Sequence, residues 1–225
     1  MTVETKIAIY SDVVCPWCYI GKKRLEDAIS IRKKSHPDDK IEIEWRAFQL
    51  NPDLAPEGED RILHMTRKFG SMDRVKMMVQ RVADIANSEN LPFLLEQEGH
   101  QPNTFLLHAL IRKAKEYGKD SILSEIFFRK FFAEGKNLSD TNIILESLRE
   151  AGIQEDDFYS IKENTILLQE VREEEQKGRE LGVSGVPFFV FNEKYAVSGA
   201  QESNLFCKYL IDWKVKFLNF MYSNF

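Results

Sequence analysis

Two cysteines three positions apart are the side chains of this sequence best suited to redox chemistry. They stand in the segment Cys15-Pro16-Trp17-Cys18. Proline at the first position of a helix presets the backbone and leaves no amide hydrogen unused, so it places Cys15 at a helix N-terminus. There the unpaired amides and the positive end of the helix dipole stabilise a thiolate. We therefore expect Cys15 to be the nucleophile, and Cys18, one helical turn later on the inward face, to resolve the mixed disulfide.

A lone C-x-x-C segment can also be half of a structural zinc site, but that site needs a second pair of cysteine or histidine ligands. The third cysteine, Cys207, stands alone in an apolar stretch, where a buried core position is the simplest interpretation. His108 receives the same structural interpretation. We expect no metal and no cofactor beyond a redox-active Cys15–Cys18 disulfide. The histidines are scattered, at His36, His64, His100 and His108.

A second signal lies far along the chain, at Gly185-Val186-Pro187, directly before an apolar run. Proline cannot donate a hydrogen bond to a sheet ladder, so it marks a special backbone position at the start of a strand. Such a position suits a cis peptide bond. In combination with the cysteine pair, the sequence predicts a cis peptide bond before Pro187.

Hydrophobic patterning supplies the elements that position these residues. Lys6 to Tyr10 is a short apolar run typical of a strand, and Pro16 to about Lys34 has the spacing of an amphipathic helix. Ile41 to Phe48 alternates apolar and mostly polar residues, as a half-buried strand does. The chain therefore opens with a β-α-β unit.

The middle of the chain has a different character. Two prolines and a glycine between Asn51 and Glu59 mark a boundary, and helical spacing follows, with helices expected over Asp140–Ala151 and Asp157–Leu181. A hairpin over Val186–Ser198 and a helix from Gln201 to Phe220 close the chain. The prediction is an α/β fold in which residues 1–58 and 159–225 form one domain and residues 59–158 form an inserted, all-helical one.

Composition limits the classes of function. The chain has 225 residues, of which 43% are hydrophobic, and a formal charge of -5 from mixed signs. This excludes a basic surface for nucleic acid or an anionic membrane. The N-terminus lacks the pattern of a secretion signal. Because three cysteines do not make a disulfide framework, we expect a cytoplasmic protein.

Four segments resemble those of a known family: Ser11–Gly21, Leu50–Pro52, Gly182–Val190 and Ser198–Gln201. Together they are similar to the DsbA-like oxidoreductases of the FrnE branch, and the resemblance spans nearly the whole chain. It implies a thioredoxin fold split by a helical insertion, with a cis Pro187 packed beside the cysteine pair. It also implies that the backbone of Val186 pairs with an extended substrate.

The resemblance further implies a protein disulfide oxidoreductase or isomerase that acts on protein thiols and disulfides or on glutathione. Glutathione-dependent isomerases related to 2-hydroxychromene-2-carboxylate isomerase, and kappa-class glutathione transferases, share this architecture and are the alternative. They typically carry serine at the nucleophile position, where this chain has cysteine. Besides the catalytic residues, the predicted substrate-binding residues, some of them candidates for glutathione, are Pro16, Trp17, Asn51, Val186, Ala200 and Gln201.

One position departs from the wider superfamily. Many thioredoxins and DsbA proteins place a buried carboxylate six residues before the first cysteine, where it helps proton transfer from the resolving thiol. This chain has Ile9 there. Asp12 is closer in sequence but belongs to the loop, so either Asp12 or water takes the Cys18 proton.

Overall fold

The computed structural model describes residues 3–94 and 99–210. In chain order, its strands are β1 (Glu4–Ser11), β2 (Lys40–Ala47), β3 (Glu59–Asp60), β4 (His100–Gln101), β5 (Phe188–Phe191) and β6 (Tyr195–Ser198). Its α-helices are α1 (Pro16–Ser35), α2 (Arg61–Phe69), α3 (Met72–Ser88), α4 (Phe105–Ala114), α5 (Asp120–Phe128), α6 (Thr141–Ala151), α7 (Asp156–Ile161), α8 (Thr165–Glu180) and α9 (Ser203–Leu210).

A four-stranded sheet in the order β2-β1-β5-β6 is the frame of the molecule. β1 runs parallel to β2 and antiparallel to β5, and β5 runs antiparallel to β6. The apolar residues of β1 and β5 alternate as in a sheet with a buried face, and Phe189 packs edge-on against Phe206 of α9. Tyr10 lies opposite Phe188 in the β1–β5 register. The end of β1 therefore meets the start of β5, which brings the cysteine loop to Pro187.

Helix α1 crosses over between β1 and β2, as the β-α-β prediction requires. Its first residue is Pro16, and it ends after a basic last turn that suits the negative end of the helix dipole. Tyr19, which is buried, stacks on Phe128 and Phe132 with ring centroids 5.4 and 5.7 Å apart. Such aromatic pairs contribute about 0.5–1.5 kcal/mol each beyond the area they bury. The helical middle of the chain therefore packs directly on the helix that carries the cysteines.

The middle is mostly helical but not entirely so. β3 and β4 form a two-stranded antiparallel ladder in which Asp60 pairs with His100, and the backbone amide of Arg61 donates to the carbonyl of Gly99. The expectation of an all-helical insertion was therefore wrong at this point. Two-residue strands are too short to show a period in the sequence.

The helix predicted over Asp157–Leu181 is two helices, α7 and α8. Asn164 ends the continuous pattern because its side-chain oxygen accepts a hydrogen bond from the backbone amide of Leu167, which caps the start of α8. The predicted domain limit after residue 158 falls within α7, and the domain limits stay a prediction. The closing helix is described as far as Leu210, and the rest of that prediction lies outside the described residues. No helix in residues 3–94 and 99–210 is long and apolar enough to cross a bilayer.

Candidate active site

Cys15 is the N-cap of α1. It has an extended backbone (φ -92°, ψ 112°), and its carbonyl accepts a hydrogen bond of 3.0 Å from the amide of Cys18. No acidic residue stands in the first turn of α1, and the positive end of the helix dipole lies at Cys15. The amide of Cys15 donates to the carbonyl of Asp12 at 2.9 Å, which fixes the loop before the helix.

The loop before β5 closes over the outer thiol. The Val186–Pro187 peptide bond is cis, and the Cys15 sulfur donates to the Val186 carbonyl at 3.4 Å. Gly21 of α1 makes this approach possible, because a Cβ there would lie only 3.0 Å from Cγ of Pro187. The structure thus brings together Cys15, Val186 and Pro187, three of the residues that the sequence singled out.

Cys18 lies behind Cys15 and is 2% exposed. Burial raises the pKa of the Cys18 thiol well above its usual value, and the adjacent Cys15 raises it further. The hydroxyl of Ser11 and the backbone of Asp12 act in the opposite direction. Both cysteines are free thiols in this structure. Cys18 is therefore a protonated thiol at neutral pH, and it must lose a proton before it can attack.

A lysine from the insertion reaches the edge of the site. The ammonium of Lys68 on α2 donates to the Asn51 side-chain oxygen at 2.5 Å and to the Leu50 carbonyl at 3.4 Å. Lys68 is exposed at the surface, but partial desolvation lowers its pKa, whereas the charges of Asp12 and Cys15 raise it. The Lys68 ammonium and the Cys15 sulfur are thus close enough to interact by charge. Nothing in the sequence distinguishes it from the other surface lysines.

A family model described as DSBA-like thioredoxin domain matches residues 6–210. The chain belongs to the DsbA-like thioredoxin domain family. Its members are thiol oxidoreductases and isomerases, so the family confirms the predicted α/β fold and the general class of chemistry. The narrower assignment to the FrnE branch stays a prediction.

Individual proteins agree with this assignment. The uncharacterized protein YwbO of Bacillus subtilis (strain 168) is 28% identical over 218 residues, which cover 96% of this chain and 100% of YwbO. A crystal structure of a probable DsbA oxidoreductase from Streptomyces coelicolor has 30% sequence identity and a TM-score of 0.82. The match covers 92% of this chain and 88% of the Streptomyces chain. The cytosolic disulfide reductase DsbM of Pseudomonas aeruginosa, solved with GSH, has 15% identity and a TM-score of 0.59 over 96% of this chain and 98% of its own. The likeness to DsbM shows the fold alone.

The remaining predicted binding residues of this DsbA-like protein differ in whether they contact the site. Ala200 lies on the Pro187 side of α1, and its carbonyl accepts a hydrogen bond of 2.6 Å from Arg24. Gln201 is exposed, and its amide donates to the carbonyl of Ser198, which closes its own loop. Pro16 and Trp17, the dipeptide between the cysteines, are half-buried. Ala200 therefore belongs to the wall of the site, whereas the described contacts of Gln201 are with its own turn.

The sequence interpretation of this DsbA-like protein named Asp12 but missed the histidine that faces it. Asp12 is completely buried, and one of its carboxylate oxygens accepts a hydrogen bond of 2.8 Å from the amide of Leu50. The other oxygen faces Nε2 of His108 at 3.4 Å. His108 had only a structural interpretation, because its place on an apolar face of α4 gave no signal of a partner in the cysteine loop.

Proposed function

We propose that this DsbA-like protein catalyses thiol-disulfide exchange through Cys15 and Cys18. The Cys15 thiolate attacks a substrate disulfide, one substrate sulfur leaves as a thiolate, and a mixed disulfide forms. Cys18 then gives up its proton and attacks the Cys15 sulfur, so that the second substrate thiol is released and the Cys15–Cys18 disulfide remains. Two thiols of a reductant restore the dithiol by the reverse steps.

The arrangement of the two sulfurs is the observation that carries this proposal. Cys15 caps the start of a helix and faces the Val186 carbonyl at 3.4 Å. Cys18 is buried one turn behind it as a protonated thiol. One sulfur is thus prepared to attack and the other to resolve, which is the division of labour that dithiol exchange needs.

Protein disulfides or glutathione are the proposed partners, and the cytoplasm is the proposed location. An extended peptide can pair with the Val186 backbone beside the attacking sulfur, as in other cases where a strand adds to an exposed backbone. Glutathione carries carboxylates, and the Lys68 ammonium beside Asn51 supplies a cation for one of them. The solved DsbM structure, that of a cytosolic reductase, contains GSH, which supports both parts of this proposal.

Trapping tests the proposal directly. In the Cys18→Ser variant the mixed disulfide at Cys15 cannot be resolved, so we expect clients to stay attached and to be identified by mass spectrometry after non-reducing separation. The Cys15→Ser variant should trap nothing and should lose insulin-disulfide reduction, whereas Cys207→Ser should behave as the wild type does. Equal trapping by Cys15→Ser and Cys18→Ser would refute the assignment of the two roles.

A glutathione-dependent isomerase or transferase is the second candidate, because the Lys68 ammonium beside Asn51 would serve a bound glutathione in that reaction as well. Such an enzyme uses the sulfur of glutathione and has no need of a resolving thiol. Its activity on a small aromatic electrophile would depend on added glutathione and would survive Cys18→Ser. Loss of all activity in that variant would leave thiol-disulfide exchange as the function.

A further inference from the structure

A buried polar pair joins the cysteine loop to the insertion. Asp12 is completely buried and His108 of α4 is 5% exposed. Oδ1 of Asp12 and Nε2 of His108 are 3.4 Å apart, and neither atom has a hydrogen-bond partner among residues 3–94 and 99–210. Such groups cost stability when they are left unsatisfied in an interior, so a pair of them facing each other calls for a functional explanation.

Ser11, the residue before Asp12 in the chain, interacts with the inner thiol. Hydrogen bonding by its side chain lowers the pKa of the Cys18 thiol, against the larger effect of burial. Ser11 and His108 also line the same internal cavity of about 10 Å³, and Ser124, whose hydroxyl has no hydrogen-bond partner among the described residues, is part of the same wall. A cavity of this size holds one water molecule, and three polar side chains are enough to bind it.

The other charged groups near the pair are already engaged. Glu174 of α8 lines the cavity too, but it forms ion pairs with Arg46 of β2 at 2.9 Å and Arg112 of α4 at 3.4 Å. Lys68 of α2 acts on Asp12 by its charge from the side of Asn51. In contrast, the facing atoms of the Asp12 carboxylate and the His108 imidazole have no hydrogen-bond partner in the described part of the chain.

We propose that the Asp12–His108 pair is the proton acceptor for Cys18, reached through the Ser11 hydroxyl and one water in the cavity. This proposal rests on the proposed thiol-disulfide exchange. The Cys18 thiol passes its proton to Ser11, which passes its own hydrogen through the water to Nε2 of His108, and the Asp12 carboxylate stabilises the imidazolium. The Cys18 thiolate then attacks Cys15, and the substrate leaves as a thiolate. When the disulfide is reduced again, the pair returns the proton to Cys18.

A two-phase reaction with the uncharged reagent dithiodipyridine tests the relay in a Cys207→Ala background. Attack by Cys15 releases a first thiopyridone at a rate that depends on reagent concentration. Attack by Cys18 on the resulting mixed disulfide releases a second thiopyridone, at a rate that does not depend on reagent concentration. In His108→Gln and Asp12→Asn we expect the second phase to slow by about 100-fold near pH 7, the lower end of what general acid–base catalysis contributes. The double variant should be no slower than the slower single one, because the two groups act as a unit.

The pH profile separates proton transfer from a structural effect. Without the relay Cys18 loses its proton to hydroxide, so the second phase of each variant should rise about tenfold per pH unit, whereas that of the wild type should rise less steeply. His64→Gln is the matched control, since His64 is also a buried imidazole paired with a carboxylate, at 2.7 Å from Glu59. Both of its phases should match those of the wild type.

Ser11→Ala makes the test independent of whether the pair variants fold, because it removes a single hydroxyl. We expect a slow, steeply pH-dependent second phase in this variant as well. A second phase within about twofold of wild type in Ser11→Ala, or in both His108→Gln and Asp12→Asn, would overturn the relay. A wild-type second phase that itself rises tenfold per pH unit would overturn it too. Absence of the first phase in the wild type would instead count against the proposed exchange chemistry.

Discussion

The two thiols of the site lie on one helix but face different parts of the chain. Cys15, on the outer side, contacts the Val186 carbonyl in the loop before β5. Cys18, on the inner side, contacts Ser11 and the backbone of Asp12, behind which His108 of the insertion stands. The surroundings of Cys15, the outer side of the site, therefore depend on a contiguous motif and on the register of the sheet. The surroundings of Cys18, the inner side, depend on how the insertion packs against the cysteine loop.

Disturbing the outer side at Gly21 is expected to have the largest effect. A Cβ there would lie 3.0 Å from Cγ of Pro187 and 3.2 Å from Cζ of Phe189, so Gly21→Val must displace the loop that faces Cys15. Because a misplacement of about 1 Å costs up to about 100-fold in rate, we expect insulin-disulfide reduction to fall by about 10- to 100-fold. The free energy of unfolding should fall by about 1–3 kcal/mol through overpacking.

Gly178→Ala is the control for overpacking as such. Gly178 lies on α8, and a Cβ there would come within 2.7 Å of the ring of Tyr10. This variant should lose stability while each folded molecule keeps an insulin-reduction rate within about twofold of wild type. If Gly178→Ala slowed insulin reduction as much as Gly21→Val does, the contact between α1 and Pro187 would have no special role.

The same division explains how much the sequence could predict. Cys15 to Cys18 occupy one local segment, so the helix start, the nucleophile and the resolving thiol follow from residue type and spacing. The strand β2 follows from period-two alternation, and β1 and β5 follow from short apolar runs. The position of Pro187 beside the cysteines needed a family resemblance, because no local rule joins residues so far apart in sequence.

The inner side and the breaks in the helices could not be predicted in this way. Asp12 and His108 meet only because α4 packs against the cysteine loop, and periodicity places His108 merely on a buried face. Lys68 comes to Asn51 through the placement of α2, which its own sequence does not encode. Asn164 divides a continuous apolar pattern because a side-chain cap competes locally with helix continuation.

Alkaline pH should sharpen the contrast between the two thiols. Burial, the largest cause, raises the pKa of Cys18 in the folded protein above its value in the unfolded chain. The protonated Cys18 thiol therefore contributes fully to stability below the ordinary thiol pKa of about 8.5. This contribution is lost as the pH rises towards the pKa of Cys18 in the folded protein. For reduced protein we expect the free energy of unfolding to fall by up to about 1.4 kcal/mol per pH unit above about pH 8.5. Urea denaturation in the presence of a phosphine reductant measures this slope.

Cys18→Ala should remove that slope, and Cys207→Ala should keep it. Burial also raises the pKa of Tyr19, to about 12, and the resulting loss of stability begins only above about pH 10, the ordinary pKa of tyrosine. The interval between about pH 8.5 and 10 therefore isolates the inner thiol. An unchanged slope in Cys18→Ala would mean that the inner thiol is no better shielded from water than an unfolded one.

Lys68 gives the smallest expected effect and tests whether the insertion also serves the outer side. Its ammonium acts on Cys15 by charge while it holds Asn51 at 2.5 Å. An exposed charge contributes about 0.2–1 kcal/mol, so Lys68→Gln should slow the first phase with dithiodipyridine by about two- to fivefold and should make that phase less sensitive to salt. Arg67→Gln removes the same charge one residue earlier, where the arginine pairs with Glu59, and should leave both phases unchanged. If both variants slowed the first phase equally, the net charge of α2 would explain the effect. A specific contact between Lys68 and the Cys15 region would then have no role.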